Sequence, residues 1–134
     1  MSIASTLRKV QNLVMGEMES FALNLLHSAS CAHVYHWQTT SYSAHKALGK
    51  FYKAMPDLVD GLVETYMGRN GIFGEVDKEQ EVYMDKDPLA YMKALRSYVD
   101  DTRKDLPQDS EIQNLIDGIT DLINTTIYKL ENLK

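Results

Sequence analysis

The sequence has little cysteine, proline or glycine: its 134 residues include one cysteine, three prolines and seven glycines. The single cysteine, Cys31, cannot form an internal disulfide, which excludes a disulfide-stabilised fold and favours a reducing compartment. We therefore expect a cytoplasmic protein. Many short strands would need many turns, and glycine and proline are the residues that form them. Because both are scarce, this composition favours long helices.

Long apolar runs and a surplus of positive charge are also missing. No stretch approaches 18 apolar residues and no signal-peptide pattern opens the chain, so we expect neither a membrane span nor an export signal. Only 14 lysines and arginines stand against 19 aspartates and glutamates, which gives a formal net charge of −5. Because this charge repels phosphate backbones but attracts cations, we expect no DNA partner.

Apolar residues recur at steps of three and four, which predicts amphipathic helices. The first predicted helix covers about residues 3–37. A polar break over 38–43 follows, and Ser43 is the expected N-cap of a second helix of about 25 residues. Pro56 lies inside this second helix, and we expect it to kink or end the helix because proline removes one backbone hydrogen bond.

The second half of the sequence predicts two more helices after a glycine-rich, charged stretch over 68–87 that has no clear period. Asp87 followed by Pro88 is typical of an N-cap and a first-turn proline, so a third helix begins there. Ser110 with Gln113 fits a capping box for a fourth helix.

The lengths of the links predict how the helices are connected. Short links join antiparallel neighbours, whereas the roughly 18 residues of the long link can stretch to about 60 Å, enough to run back along a helix of roughly 38 Å. One long crossover between helices 2 and 3 is the ferritin-like topology. We expect residues 1–134 to form a single all-α domain, a ferritin-like four-helix bundle.

The second predicted helix carries a histidine and two carboxylates on one flank of its apolar stripe: His45, Asp60 and Glu64. Asp60 and Glu64 are four residues apart and can share an ion. His45 is too far along the helix to join them, because 15 residues correspond to roughly 22 Å. In a two-fold dimer with these helices antiparallel, His45 of one chain meets Asp60 and Glu64 of the other.

His36, at the end of the first predicted helix, can join His45 across the short link. Two imidazoles and two carboxylates suit iron, with zinc and manganese as alternatives. The competing interpretation has no metal: the histidines are packed or surface residues, and the two carboxylates belong to a solvated helix face.

The run of His36-Trp37, a short loop, and then His45 resembles the Dps family of mini-ferritins. Asp60 and Glu64 follow the second histidine by 15 and 19 residues. The four ligand types fall where that family places its intersubunit ferroxidase ligands. The resemblance therefore assigns both the catalytic and the metal-binding roles to these residues: His36, His45, Asp60 and Glu64.

The resemblance continues over residues 100–106 and 109–133, which look like the family's third-helix end and final helix. It implies a homo-oligomeric cage, usually a dodecamer built from two-fold dimers. Such cages bind Fe(II), oxidise it as ferroxidases, store the Fe(III) product inside and protect against oxidative damage. In this family, acidic residues near the turn between helices 3 and 4 line iron-entry pores; here these are Asp100, Asp101, Asp105 and Asp109.

The sequence departs from the family pattern at three points. The loop before His45 is about three residues shorter than usual, Gly49 stands where members often carry an acidic residue, and Pro56 lies between the two ligand groups. The short loop affects how His36 meets His45, while Gly49 and Pro56 favour the alternative function, a ferritin-like structural or interaction module with a degenerate metal site and no oxidase activity.

Overall fold

A computed structural model of the chain describes residues 15–77 and 83–134. This part of the chain is all-helical and contains no strand, which confirms the expected all-α class at that level. A short 3-10 turn follows the third helix at Arg103–Asp105. Within residues 15–77 and 83–134 there are four α-helices: α1 (Glu17–Gln38), α2 (Tyr42–Asn70), α3 (Pro88–Thr102) and α4 (Ser110–Asn132).

The start of α1 differs from the prediction of an uninterrupted helix over residues 3–37. That prediction is wrong at Met15 and Gly16, which precede the helix, and its part over 3–14 lies outside the described residues. Gly16 is extended, with φ −61° and ψ 158°. A Cβ atom built on Gly16 would lie 2.2 Å from Oε2 of the buried Glu19, so any larger residue here would force this carboxylate to shift.

The link between α1 and α2 is shorter than predicted and consists of residues 39–41. Ser41 is the N-cap, because its hydroxyl accepts a hydrogen bond from the backbone N–H of Ala44 at 3.3 Å. The prediction of Ser43 as N-cap is therefore wrong. Ser43 lies in the first turn, where its hydroxyl donates to the carbonyl of Leu133 at the end of α4.

Pro56 lies inside α2 and does not end it. Of the two effects expected of this proline, a kink or a helix end, the helix end is therefore wrong. The helix runs through Pro56 for 29 residues, a length of roughly 43 Å, since proline removes only one N–H donor. It ends at Gly71, whose N–H donates to the carbonyl of Met67. Gly71 has a φ of 93°, a left-handed conformation that favours glycine at helix ends.

The predicted start of α3 is confirmed, and the predicted capping box of α4 is wrong. The Asp87 carboxylate accepts hydrogen bonds from the backbone N–H groups of Leu89 and Ala90. In α4 the N-cap is Asp109, and Ser110 is already helical. The Gln113 side chain does not take part in a capping box. Its amide donates instead to two carbonyls in the turn before α4, those of Arg103 and Pro107.

Contacts between helices fix their directions. The three-residue link 39–41 makes α1 and α2 antiparallel. The start of α2 lies beside the end of α4 through the bond from Ser43 to Leu133, and the end of α2 lies beside the start of α4 through an ion pair between Arg69 and Glu111 at 3.0 Å. Hence α2 and α4 are also antiparallel.

α3 and α4 form a second antiparallel pair. Lys93 near the start of α3 contacts Glu131 near the end of α4 at 3.0 Å, and Arg103 after α3 contacts Asp117 in the first half of α4 at 2.7 Å. Since α2 and α3 both run opposite to α4, they are parallel to each other. The chain must therefore return along the bundle between them.

The two described ends of the link, residues 71–77 and 83–87, lie beside α1. Near the start of α1, the Glu19 carboxylate accepts a hydrogen bond from the Gly74 N–H at 2.8 Å. Near the end of α1, the Tyr35 hydroxyl donates to the carbonyl of Asp85. The two ends of the link thus lie near opposite ends of α1, in agreement with the predicted return along the bundle.

The apolar stripes of the four helices meet in one core. Burying each large apolar side chain contributes about 1.5–3 kcal/mol, which makes this core the main source of stability. None of the helices in the described ranges has the length and apolar character needed to span a membrane. The largest fully buried side chains include Phe21, Leu25, Leu48, Phe51, Met55, Met92, Ile112 and Ile119.

We expect the substitution Asp87→Ala to lower the free energy of unfolding by about 1 kcal/mol, because two N–H groups of α3 lose their acceptor. Asp87→Asn keeps an acceptor and serves as the matched control, with a much smaller loss. Urea denaturation followed by circular dichroism measures both. Equal stability of Asp87→Ala and the wild type would contradict the capping role.

Candidate metal centre

His36 at the end of α1 and His45 at the start of α2 form a stacked pair. Their ring centroids are 3.6 Å apart and their planes differ by 18°. The Nδ1 atom of His36 lies 2.7 Å from the carbonyl oxygen of His45, and Nδ1 of His45 lies 2.9 Å from the carbonyl oxygen of His36. The short link brings the two helix ends together, and the two reciprocal bonds join them.

These bonds determine which ring nitrogen carries the proton. A carbonyl oxygen only accepts hydrogen bonds, so Nδ1 donates in both rings. In the neutral imidazole, Nε2 then holds the lone pair that a metal ion binds. Metal-binding histidines commonly donate their other ring N–H to a carbonyl or carboxylate, which orients the ring. Both rings therefore have the tautomer that a metal site needs.

Gly49 has a structural role beside this pair. A Cβ atom at position 49 would lie 3.3 Å from Cε1 and from Nδ1 of His36, closer than most real Cβ contacts. Gly49 is buried, one turn after His45 on α2. The absence of an acidic residue here therefore makes room for the His36 ring.

A groove of about 750 Å³ opens over the histidine pair at the start of α2. It also contacts Ser43 and Leu133, where α2 meets the end of α4. No carboxylate from the described part of the chain lines it. Its positive charge comes from four lysines, Lys46, Lys50, Lys53 and Lys129.

The structure does not bring Asp60 and Glu64 to the histidines. Both carboxylates are exposed on α2, and the unbroken helix keeps Asp60 roughly 22 Å from His45. Within residues 15–77 and 83–134, no three His, Cys, Asp or Glu side chains are close enough to hold a metal ion together. One chain therefore supplies the two halves of the predicted site at separate places.

Three further aromatic rings lie next to the histidine pair. His33 stacks on Tyr52 of α2, with centroids 3.9 Å apart and planes within 7°. Trp37 contacts His33, at 4.5 Å between centroids, and is 68% exposed. His33 is thus a packing residue between α1 and α2, while Trp37 lies at the surface.

Sequence reasoning missed a second cluster, formed by His27 and Cys31 one turn apart on α1. Their Nε2 and Sγ atoms are 3.2 Å apart. Burial raises the pKa of the Cys31 thiol and lowers the pKa of the His27 imidazole, so both groups are neutral near pH 7. The spacing of four residues was the available signal, because it places two side chains on one helix face.

An apolar cavity of about 320 Å³ adjoins His27.

The acidic residues near the α3–α4 turn differ in exposure. Asp100, Asp101 and Asp105 are exposed, whereas Asp109 is half-buried and lies 3.3 Å from Nε of Arg69 at the end of α2. This ion pair connects α2 to the start of α4. A pore would need further copies of the chain, so the pore role of these aspartates stays a prediction.

Comparisons with known proteins place the candidate residues in a matched stretch. A family described as "Family of unknown function (DUF5856)" matches residues 36–130. An uncharacterised 14.6 kDa protein in the mobD-ri intergenic region of Enterobacteria phage T4 is 28% identical over 98 residues, which cover 73% of this chain and 75% of the phage protein. No solved structure matches. Neither description mentions Dps proteins or ferritins, so that resemblance stays a prediction.

We expect both His36 and His45, in their neutral forms, to carry the proton on Nδ1, because each Nδ1 faces a carbonyl oxygen. Long-range proton–nitrogen NMR correlations in histidine rings distinguish the two tautomers. Finding the proton on Nε2 of either neutral ring would contradict the reciprocal bonds.

The half-buried His27 predicts a loss of stability in acid. Burial lowers its pKa in the folded state from the usual 6.5, despite the opposing effect of a hydrogen bond to the Tyr83 carbonyl. The unfolded chain therefore binds this proton more readily, so the stability contribution is complete above about pH 6.5 and falls as the pH drops below it. Denaturation at pH 7.5 and 5.5 should show a smaller loss for His27→Gln than for the wild type. Identical losses would refute the assignment.

Proposed function

The chain belongs to the DUF5856 family, whose description assigns no activity, and we propose that this member is an iron-binding mini-ferritin. In this proposal the four helices form a ferritin-like bundle, and copies of the chain assemble into a cage, a dodecamer built from two-fold dimers. Fe(II) is oxidised at sites between two copies, and Fe(III) is stored inside, which protects a cytoplasm against oxidative damage.

The histidine pair is the observation that carries the proposal. Both Nδ1 atoms donate to carbonyl oxygens, which leaves both Nε2 lone pairs for a metal. The pair lines an open groove instead of being enclosed in the core. His36 and His45 would thus supply the nitrogen ligands of one site.

Asp60 and Glu64 would supply the oxygen ligands from a second copy. Their exposure on α2 leaves them accessible to another chain, and their spacing of four residues points both carboxylates the same way. Imidazole suits Fe(II), while hard carboxylate oxygen favours Fe(III), so this mixed set promotes oxidation. With hydrogen peroxide, two Fe(II) ions each lose one electron, and peroxide with two protons becomes two waters.

The bundle topology also supports the proposal. α2 and α3 are parallel and are joined by a link that returns along α1. This is the connection expected for a ferritin-like bundle with one long crossover. Ferritin-like proteins build their metal sites from side chains on helices, as proposed for α1 and α2.

A specific observation favours the alternative function, a structural or interaction module without oxidase activity. The reciprocal bonds and the ring stacking of His36 and His45 already connect α1 to α2. The histidines therefore have a structural role that needs no metal. In that case α2 serves only for association with a partner.

Addition of Fe(II) and peroxide to the protein separates these functions. We expect the near-ultraviolet absorbance of Fe(III) to rise at least tenfold faster than in buffer, and Glu64→Gln or Asp60→Asn to slow this rise at least tenfold by removing a ligand charge. Both side chains are exposed, so the fold should persist. Asp121→Asn, which is exposed on α4, is the matched control and should react like the wild type.

Oxidation by the wild type at the rate in buffer would refute the ferroxidase proposal and leave the interaction module. Wild-type rates in both ligand variants, together with rapid oxidation, would show that iron reacts elsewhere on the protein.

A further inference from the structure

Six of the seven exposed charged side chains on α2 are sorted by sign along the helix. The first half carries three lysines and the second half carries three carboxylates, while the seventh, Arg69, forms ion pairs with α4 and its N-cap at the end of the helix. At about 100° per residue, all six lie within an arc of about 80°, so they share one face. Within the described residues, none of the six forms an ion pair. In chain order they are Lys46, Lys50, Lys53, Asp57, Asp60 and Glu64.

This order is unfavourable for α2 alone. Like charges three or four residues apart destabilise a helix, and Lys46 with Lys50, and Asp60 with Glu64, are such pairs. A solvated face gains more from alternating signs, which place opposite charges one turn apart. The sorted order therefore needs a partner to become favourable.

The order of charges on α2 is complementary to the same order read in the opposite direction. Each lysine has a carboxylate at the same distance on the other side of Met55, the centre of the pattern. An antiparallel copy of α2, related by a two-fold axis at residue 55, consequently sets every lysine opposite a carboxylate. The three pairs, each formed twice, are Lys46 with Glu64, Lys50 with Asp60, and Lys53 with Asp57.

We propose that the exposed face of α2 docks antiparallel on the same face of a second copy, with the two-fold axis at residue 55. A polyanion would fit only the lysine half, and a cationic protein would fit only the acidic half. A second copy matches both halves at once, as an isologous interface requires. The docking surface is held by charge, so it weakens as salt increases.

The register determines which carboxylate reaches the histidines; this step rests on the proposed function. With the axis at residue 55, Glu64 of the second copy lies within about 1.5 Å of the level of His45 along the helix. Asp60 of the second copy lies about 7.5 Å from that level. Glu64 is therefore the nearer oxygen ligand, and Asp60 faces Lys50.

The proposal predicts the behaviour of charge reversals at positions that are not metal ligands. Lys53→Glu sets two like pairs across the axis, and so does Asp57→Lys. We expect each single variant to weaken self-association at least tenfold in dissociation constant, because attraction becomes repulsion at two symmetric positions. Analytical ultracentrifugation at 50 mM salt measures this, with Lys104→Glu as an exposed control that associates like the wild type.

Two further samples separate a lost docking contact from damage to the fold. The double variant Lys53→Glu with Asp57→Lys, and an equimolar mixture of the two single variants, both restore opposite charges across the axis. We expect both to associate within about threefold of the wild type. Wild-type association of the single variants, or a failure of both restoring samples, would overturn the register.

The same samples distinguish the docking from the iron chemistry. Restored association without Fe(II) oxidation would keep the docking and refute the proposed function. Rapid oxidation with unchanged association in the single variants would refute the docking register and leave the proposed function standing.

Discussion

The unbroken length of α2 is the constraint on which the candidate site depends. An α-helix rises 1.5 Å per residue and does not fold back on itself, so two positions on it keep their separation. α2 continues through Pro56, which keeps His45 and the two carboxylates apart within one chain. A site that unites them must therefore lie between copies. Whether these residues bind a metal together therefore depends on how copies of the chain assemble.

Local sequence signals predicted the features that depend on neighbours in the chain. Asp87 before Pro88 predicted the start of α3, because both the cap and the proline act within the first turn. Ser43 and Gln113 were assigned wrongly, since their hydrogen bonds go to distant or preceding segments: Ser43 to Leu133 and Gln113 to Arg103. The contact of Gly16 with Glu19 was missed because it depends on the position of the Glu19 carboxylate, which bonds to the distant Gly74 N–H.

The candidate site shows the same division. The short link after α1 predicted that His36 and His45 could meet, and the structure brings them together. The sequence could not predict that each ring would bond to the backbone carbonyl of the other histidine, because this depends on how the two helix ends are rotated. Gly49 was interpreted as a lost ligand, although its nearest neighbour is the His36 ring, a contact that exists only after packing.

The lysines around the groove connect the ligand chemistry to the assembly. Lys46, Lys50 and Lys53 line the groove that contains both imidazoles, and none of the described carboxylates lines it. A single copy therefore repels a divalent cation from the nitrogen ligands that could bind it. In the proposed dimer, the carboxylates of the docked copy would supply oxygen ligands and cancel this positive charge in one step. If the same carboxylates serve both roles, iron affinity and association are thermodynamically linked, and each must strengthen the other.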